Sequence, residues 1–276
     1  MSEPNRNLTV RIVTALALFP LAVWVTWVGG LPFTAVIVVA AGISAAELVL
    51  MFDRRLRATG ALGIAMAALF PLAAWIGWRT QAGVAPEWLG LALSAGVIAV
   101  LAAALFRQGP IEEAPRSAAV ATLAWAYAGV LPASVVALRL RFGWEWVILL
   151  FVVSWANDTL AYFAGRAWGR HKLAERISPK KTWEGFAGGA LGSVLGAVGV
   201  KLLFLPAVPV AACAVIGLGG AMLGPLGDLS ESMLKRAAGV KDSSKLLPGH
   251  GGLLDRIDAV LFVAPWISAC ALWFAR

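Results

Sequence analysis

The chain has 276 residues, 60% of them apolar and only 14% charged, with a mean hydropathy of +0.81 and a formal net charge of +8. That composition excludes an ordinary soluble domain, and the short connections between apolar runs leave no room for a separate one. The two cysteines, Cys213 and Cys270, both fall within apolar runs, so they read as packing residues rather than as a disulfide framework.

In chain order, nine runs approach the roughly 20 apolar residues that a helix needs to cross a bilayer. They cover 11–29, 31–52, 61–78, 88–106, 118–137, 145–165, 185–204, 208–227 and 257–275. Backbone polar groups in lipid must be satisfied within each segment. The expected fold is therefore all-α, a polytopic membrane protein forming a single transmembrane domain over 1–276. Residues 1–143 would supply scaffold or dimer contacts, and 144–276 the site. The first run is long enough to span and no small-residue cleavage site follows it, so no cleaved leader is expected. Tryptophans such as Trp24, Trp27, Trp75, Trp78, Trp88, Trp144 and Trp146 cluster near run ends, as interfacial anchors do.

The first half has few polar interruptions: Gly29-Gly30, a basic turn from Asp53 to Arg57, and Gly109-Pro110. Glu47 is the exception, an acid inside the second run. It admits two readings, a structural role (helix pairing or hydrogen bonding to a neighbour) or a contribution to a site, because acids in membranes face the bundle interior.

The second half carries the chemistry. Asn157-Asp158 lies well inside the sixth run, where an Asp is costly unless it meets a cation, a metal or water. Next comes Ser178-Pro179-Lys180-Lys181-Thr182-Trp183-Glu184-Gly185. Pro179 restricts Ser178 to extended geometry, and the following helix start offers free N–H groups to a phosphate. The competing reading is a solvated basic loop with an N-cap. In the seventh run, Gly192 and Gly196 form a small-residue repeat that permits close helix contact.

No breaker interrupts Gly227 to Arg236, so the eighth helix should continue beyond the membrane. Asp228, Ser232 and Lys235 are four and three apart and share a face. The densest stretch runs from Ser232 to Asp258, 27 residues with five Lys or Arg, three Asp and the glycine-rich Pro248-Gly249-His250-Gly251-Gly252. Asp255 and Asp258, three apart at the start of the ninth run, would repel unless a cation joined them. Oxygen ligands without cysteine or paired histidine point to magnesium rather than zinc. His171 reads as a loop residue, and His250 as a hydrogen-bond donor to phosphate rather than a base.

Alternating the loops places five of the 23 Lys and Arg on one side (Arg79, Arg139, Arg141, Lys201, Arg276) and eighteen on the other. Positive charge marks the cytoplasmic side, so the N-terminus is expected inside and the C-terminus outside. Eleven of the eighteen sit in the two connections that flank the seventh and eighth runs, which favours a site over simple anchoring. The site would then face the cytoplasm, in the cell (inner) membrane, with no nucleic-acid partner.

With these residues in view, the chain resembles the phosphatidate cytidylyltransferase family, the CDP-diacylglycerol synthases. That family's signature reads Ser-x-hydrophobic-Lys-Arg, four residues, Lys-Asp, a spacer, His-Gly-Gly, then Asp-Arg-hydrophobic-Asp. Ser232, Lys235, Arg236, Lys241, Asp242, His250, Gly251, Gly252, Asp255, Arg256 and Asp258 fall in register. The Ser178–Gly185 segment and the Asp158 helix also look like the family's. Ser244 departs from a frequent glycine and Ala259 from a frequent serine. The motifs lie within 144–276; the rest is similar in hydropathy and size.

The resemblance implies transfer of a cytidylyl group from CTP to phosphatidate, giving CDP-diacylglycerol and pyrophosphate, with Mg2+ and room for a second cation. It implies Asp228, Asp255 and Asp258 as metal ligands, with Asp158 and Asp242 as further candidates. Lys235 and Arg256 would join the three principal acids in catalysis. Ser178, Lys180, Lys181, Thr182, Ser232, Arg236, Lys241, His250, Gly251 and Gly252 would bind substrate. A homodimer is also implied. Two rivals stand beside this reading. One is a lipid or polyprenol kinase using CTP. The other is an anion transporter, which should carry a polar path to the far side that this sequence lacks. The Asp-Gly-x-x-Ala-Arg run of the CDP-alcohol phosphotransferases is absent from the sequence.

Overall fold

The computed structural model describes residues 19–53, 55–80, 86–249 and 251–275. Among them the α-helices are α1 (Phe19–Val28), α2 (Gly30–Phe52), α3 (Ala58–Arg79), α4 (Pro86–Leu105), α5 (Ala114–Trp125), α6 (Leu131–Phe142), α7 (Trp144–Trp168), α8 (Trp183–Leu203), α9 (Val210–Ala237) and α10 (Leu254–Phe274). A 3-10 turn, Ile111–Glu113, leads into α5, and one π turn, Ala126–Val130, joins α5 to α6 as a single apolar rod. Two short strands, β1 (Lys172–Ala174) and β2 (Ser178–Thr182), complete the described residues.

Among the described residues seven helical segments are long and apolar enough to cross a membrane: Gly30–Phe52, Ala58–Arg79, Ile111–Phe142, Trp144–Trp168, Trp183–Leu203, Val210–Ala237 and Leu254–Phe274. Phe19–Val28 and Gly90–Leu105 are shorter apolar helices among the described residues. The protein is thus an all-α polytopic membrane protein. Its first expected run, 11–29, begins outside the described residues, and the fourth is matched by one of the two short helices.

By contact the chain divides into two compact units, 1–140 with 242–256, and 141–241 with 257–276. In the first, α2, α3 and α5 pack around Leu48, Val49, Ala67, Ala121 and Trp125, all nearly inaccessible. Small residues set the spacing. A Cβ at Gly63 would meet the Ala121 carbonyl at 2.8 Å, and one at Gly129 would meet the Ala67 backbone at 2.6 Å. Gly29 and Gly30, both at positive φ, turn the chain between α1 and α2. Arg139 closes that corner, donating from Nε to the Thr26 carbonyl (2.6 Å) and from a terminal nitrogen to that of Trp27 (2.8 Å). These are carbonyls that the end of α1 leaves without helical partners.

In the second unit α8 lies against α7 along its glycine stripe. A Cβ at Gly189 would stand 3.0 Å from Asn157 Oδ1, and one at Gly196 would stand 3.1 Å from Val152 Cγ1. The close contact expected of Gly192 and Gly196 is present, Gly192 lying against the Ala156 carbonyl. Two buried polar side chains between these helices are paired: Asn157 donates to Ser193 Oγ (3.1 Å), and Ser193 donates to the Val153 carbonyl (3.1 Å). Cys213 and Cys270 are buried and unbridged, as expected. Trp146 is a correction. It is 2% exposed and stacks at a tilt on Phe142, so it is core rather than an interfacial anchor. Trp27 and Trp78 do lie exposed at helix ends.

Candidate functional site

The segment Ser178–Thr182 is extended, as Pro179 demands, and pairs antiparallel with β1: Lys172 lies opposite Thr182, and Ala174 opposite Ser178. This hairpin delivers the chain to α8, whose N-cap is Thr182. Its Oγ1 accepts the Gly185 N–H at 3.1 Å, the usual service of a threonine at that position. The Thr182 hydroxyl is therefore engaged in capping, and the two lysines before it are held at the mouth of α8. Lys180 is exposed and Lys181 half-buried.

Glu184, which sequence reasoning passed over, locks the hairpin's base. Its carboxylate accepts from the Arg170 N–H (3.1 Å) and the His171 N–H (3.3 Å), and stands 2.6 Å from His171 Nδ1. An acid in the first turn of a helix was the signal available. His171 is a loop residue tied to that acid, in keeping with its expected role.

Where α7, α8 and α9 meet, Asp158, Lys180, Lys181, Thr182, Pro225 and Asp228 line a cavity of about 440 Å³. Tight glycine contacts create the juncture: a Cβ at Gly165 would lie 3.1 Å from Thr182 Oγ1, and one at Gly185 3.0 Å from the Ala161 carbonyl. Lys181 is the central cation. Its Nζ stands 2.8 Å from Asp228 Oδ2 and 3.4 Å from the Pro225 carbonyl. Asp228 also accepts from Ser232 Oγ at 3.2 Å, so the face predicted for Asp228 and Ser232 exists.

The expected continuation of the eighth helix is equally clear: α9 runs unbroken to Ala237 despite Pro225. Lys235, buried, pairs with Glu231 one turn earlier, an acid that the sequence reading missed although i,i+4 spacing advertises it. Gly227 lets α10 approach: a Cβ there would fall 2.5 Å from the Asp258 carbonyl. The backbone of Asp258 therefore lies against the residue that precedes Asp228. Arg236 and Lys241 are exposed nearby in sequence; Arg236 donates to the Val240 carbonyl at 3.4 Å.

Among the described residues no three of His, Cys, Asp and Glu form a ready-made metal cage. Asp158 and Asp228, both on the cavity wall, are nonetheless hard oxygen donors, and Asp258 lies on the adjoining turn of α10. Magnesium binds through one or two carboxylates plus water and substrate phosphate rather than in all-protein cages, so this set fits it.

The glycine-rich loop belongs to the first unit, and Glu47 organises it. Glu47, 5% exposed, accepts from Ser244 Oγ (2.7 Å), Ser243 Oγ (3.0 Å), the Leu253 N–H (2.9 Å) and the Leu254 N–H (2.8 Å). A carboxylate on the first N–H groups of α10 is an N-terminal cap reinforced by the helix dipole. The contacts favour the structural reading of Glu47, as hydrogen bonding to a neighbouring segment.

Asp255 holds the same loop: its Oδ2 accepts from Ser243 N (2.9 Å), Ser243 Oγ (2.9 Å) and Gly252 N (2.8 Å). Gly251, at φ +81°, lies where a Cβ would meet Asp255 Oδ2 at 2.8 Å and Asp242 Cβ at 3.5 Å. Asp242 and Arg256 are exposed. His250 lies outside the described residues.

Fold and site together define a polytopic helical membrane protein with acids and lysines gathered around a cavity between its helices. A family model described as the cytidylyltransferase family matches residues 9–274, and the chain belongs to that family. A phosphatidate cytidylyltransferase of Brucella abortus is 36% identical over 98% of this chain and 95% of its own. One from Bacillus subtilis is 33% identical over 93% of this chain and 95% of its own. One from Haemophilus influenzae is 35% identical over 67% of this chain and 65% of its own.

Proposed function

We infer that this chain is a CTP-dependent nucleotidyltransferase that transfers the cytidylyl group of CTP to phosphatidate, forming CDP-diacylglycerol and pyrophosphate. The observation that carries the reading is 36% identity to a phosphatidate cytidylyltransferase along 98% of the chain, combined with a lysine–aspartate pair lining the cavity. The phosphate monoester of phosphatidate is the nucleophile. One of its oxygens bonds to the α-phosphorus of CTP, and the bond from that phosphorus to the β-phosphate's bridging oxygen breaks. Both electrons of that bond leave on pyrophosphate. With a second pKa near 6 the monoester is already largely ionised at neutral pH, so no strong base is required.

What such a reaction demands is positioning of two polyanions and stabilisation of the departing charge. Lys181, with Lys180 beside it, binds phosphate at the cavity, exchanging part of its pairing with Asp228 for substrate. Lys235, paired with Glu231 on α9, keeps the catalytic role its motif implies. Ser232 orients Asp228. Arg236, Lys241 and Arg256 keep the phosphate-binding roles their motif implies. Asp158, Asp228 and Asp258 would hold Mg2+; when bound, that ion neutralises phosphate oxygens and the charge developing on pyrophosphate. Asp255 and Asp242 stand as further ligand candidates, Asp255 with contacts to its own loop. The eighteen-to-five cation split supports a cytoplasmic site in a bacterial cell membrane, and the family resemblance supports a homodimer.

Purified protein in mixed micelles with CTP and phosphatidate should release one pyrophosphate per phosphatidate consumed; consumption without pyrophosphate overturns the reading. For orientation, a cysteine beside Lys181 should react with an impermeant reagent only after the cytoplasmic face is opened. Labelling of that cysteine from outside in intact cells contradicts it.

A further inference from the structure

The first unit holds a second concentration of cations that the reaction does not use. The α2–α3 and α4–α5 connections enclose two adjoining hollows of about 210 and 610 Å³, which share Arg57 and Thr59. The smaller also takes in Arg116, and the larger Arg55 and Arg107. Two carboxylates face these four guanidinium groups. Asp53 pairs with Arg57 at 2.9 Å, and Glu113 pairs with Arg107 and stands 3.5 Å from Arg57. Among the described residues the balance is two positive charges, opposite in sign to the phosphate of a diester lipid headgroup or of inorganic phosphate near pH 7. Arg55 and Arg116 have no ion pair among the described residues.

Two independent features make this more than a basic surface. Helix α3 begins here at Ala58 with no side-chain cap, so its first N–H groups and the positive end of its dipole are available. Thr59, in that first turn, is 1% exposed, and its hydroxyl has no hydrogen-bond partner. Arg107 repeats the pattern: its side chain is 2% exposed and its Nε is unpartnered. Buried donors are rarely left unmet. Guanidinium forks, an uncapped helix start and an unmet hydroxyl are together the recognition set for an oxyanion.

We propose that these two connections form a second phosphate-binding site, distinct in its residues from the Lys181 cavity. It takes a phosphate group, supplied by an anionic lipid headgroup or by free phosphate. The site lies where α2, α3, α4 and α5 all end, the level at which headgroups meet apolar helices. Arg55 and Arg116 supply the outer charge; Arg57, the α3 N–H groups and Thr59 supply the inner contacts.

The test uses the full chain in the Lys181→Ala background, so that the cavity contributes little. In neutral detergent, inorganic phosphate should raise the unfolding temperature by mass action. Thr59→Val keeps the side-chain shape, and Arg116→Gln removes an unpaired charge. Each should raise the phosphate concentration for half the effect at least tenfold. In a second arm the protein sits in phosphatidylcholine nanodiscs with or without phosphatidylglycerol. Stabilisation that needs phosphatidylglycerol and is lost in both variants assigns the site to a lipid headgroup. Stabilisation by inorganic phosphate in the neutral discs assigns it to free phosphate. No stabilisation in either arm, or stabilisation unchanged by both variants, overturns the proposal.

Discussion

Glu47 and Asp158 are both acids inside apolar helices, yet their surroundings differ in kind. Glu47 is enclosed by four donors from one loop, two of them backbone N–H groups at the start of α10. Asp158 lines an open cavity, beside a lysine that already shares its charge with Asp228. A carboxylate whose acceptors are filled by its own chain holds structure. One that faces a cavity with other acids and a half-committed cation is equipped to meet a ligand. The acids at the two ends of the Asp-Arg-Ile-Asp motif also have different surroundings. Asp255 accepts from its own loop through Oδ2, while Asp258 sits where α10 meets Gly227, the residue before Asp228.

The sharpest way to break this comparison is to neutralise one acid of each kind. Asp258→Asn keeps shape and one oxygen but removes the charge of a proposed metal ligand. It should lower CDP-diacylglycerol formation by on the order of 10³-fold, while the protein still extracts and elutes as folded. Retention of more than a tenth of the activity would place Asp258 with the structural acids.

Lys181→Ala comes next. Removing one partner of a partly buried charge pair costs about 2–3 kcal/mol of transition-state binding, the low side because Lys181 keeps 22% side-chain exposure. Lys172→Ala, in the paired strand and outside the cavity, should change rates by less than about 0.5 kcal/mol. Equal losses, measured as kcat/KM, would reduce the hairpin to a basic anchor.

Glu47→Gln should do the reverse of Asp258→Asn. It turns donors toward donors in a buried network, costing about 1–3 kcal/mol of stability, seen as a lower Tm. Turnover per folded molecule should fall by less than tenfold. A normal Tm with abolished turnover would move Glu47 into the catalytic group.

Much of the second unit was legible because its signals are local. Pro179 dictated extended backbone at Ser178, the absence of breakers carried α9 through to Ala237, and the Asp228–Ser232 spacing placed both on one face. Glu184 and Glu231 act within one turn or one hairpin and were readable from first-turn and i,i+4 rules. Glu47 was not. Its partners lie some 200 residues on, and nothing local distinguishes a capping acid from a ligand. Trp146 failed for a related reason: position near a run end suggests the interface, but packing against Phe142 decides its burial.

The central claim is that the α-phosphorus of CTP, with its cytidine, moves to the lipid. Purified protein given phosphatidate and CTP labelled with 32P at the α-position should yield lipid carrying one label per molecule, and γ-labelled CTP should leave the lipid unlabelled and the pyrophosphate hot. Label from the γ-position in the lipid, with CDP released, would contradict the account and identify a CTP-dependent kinase instead.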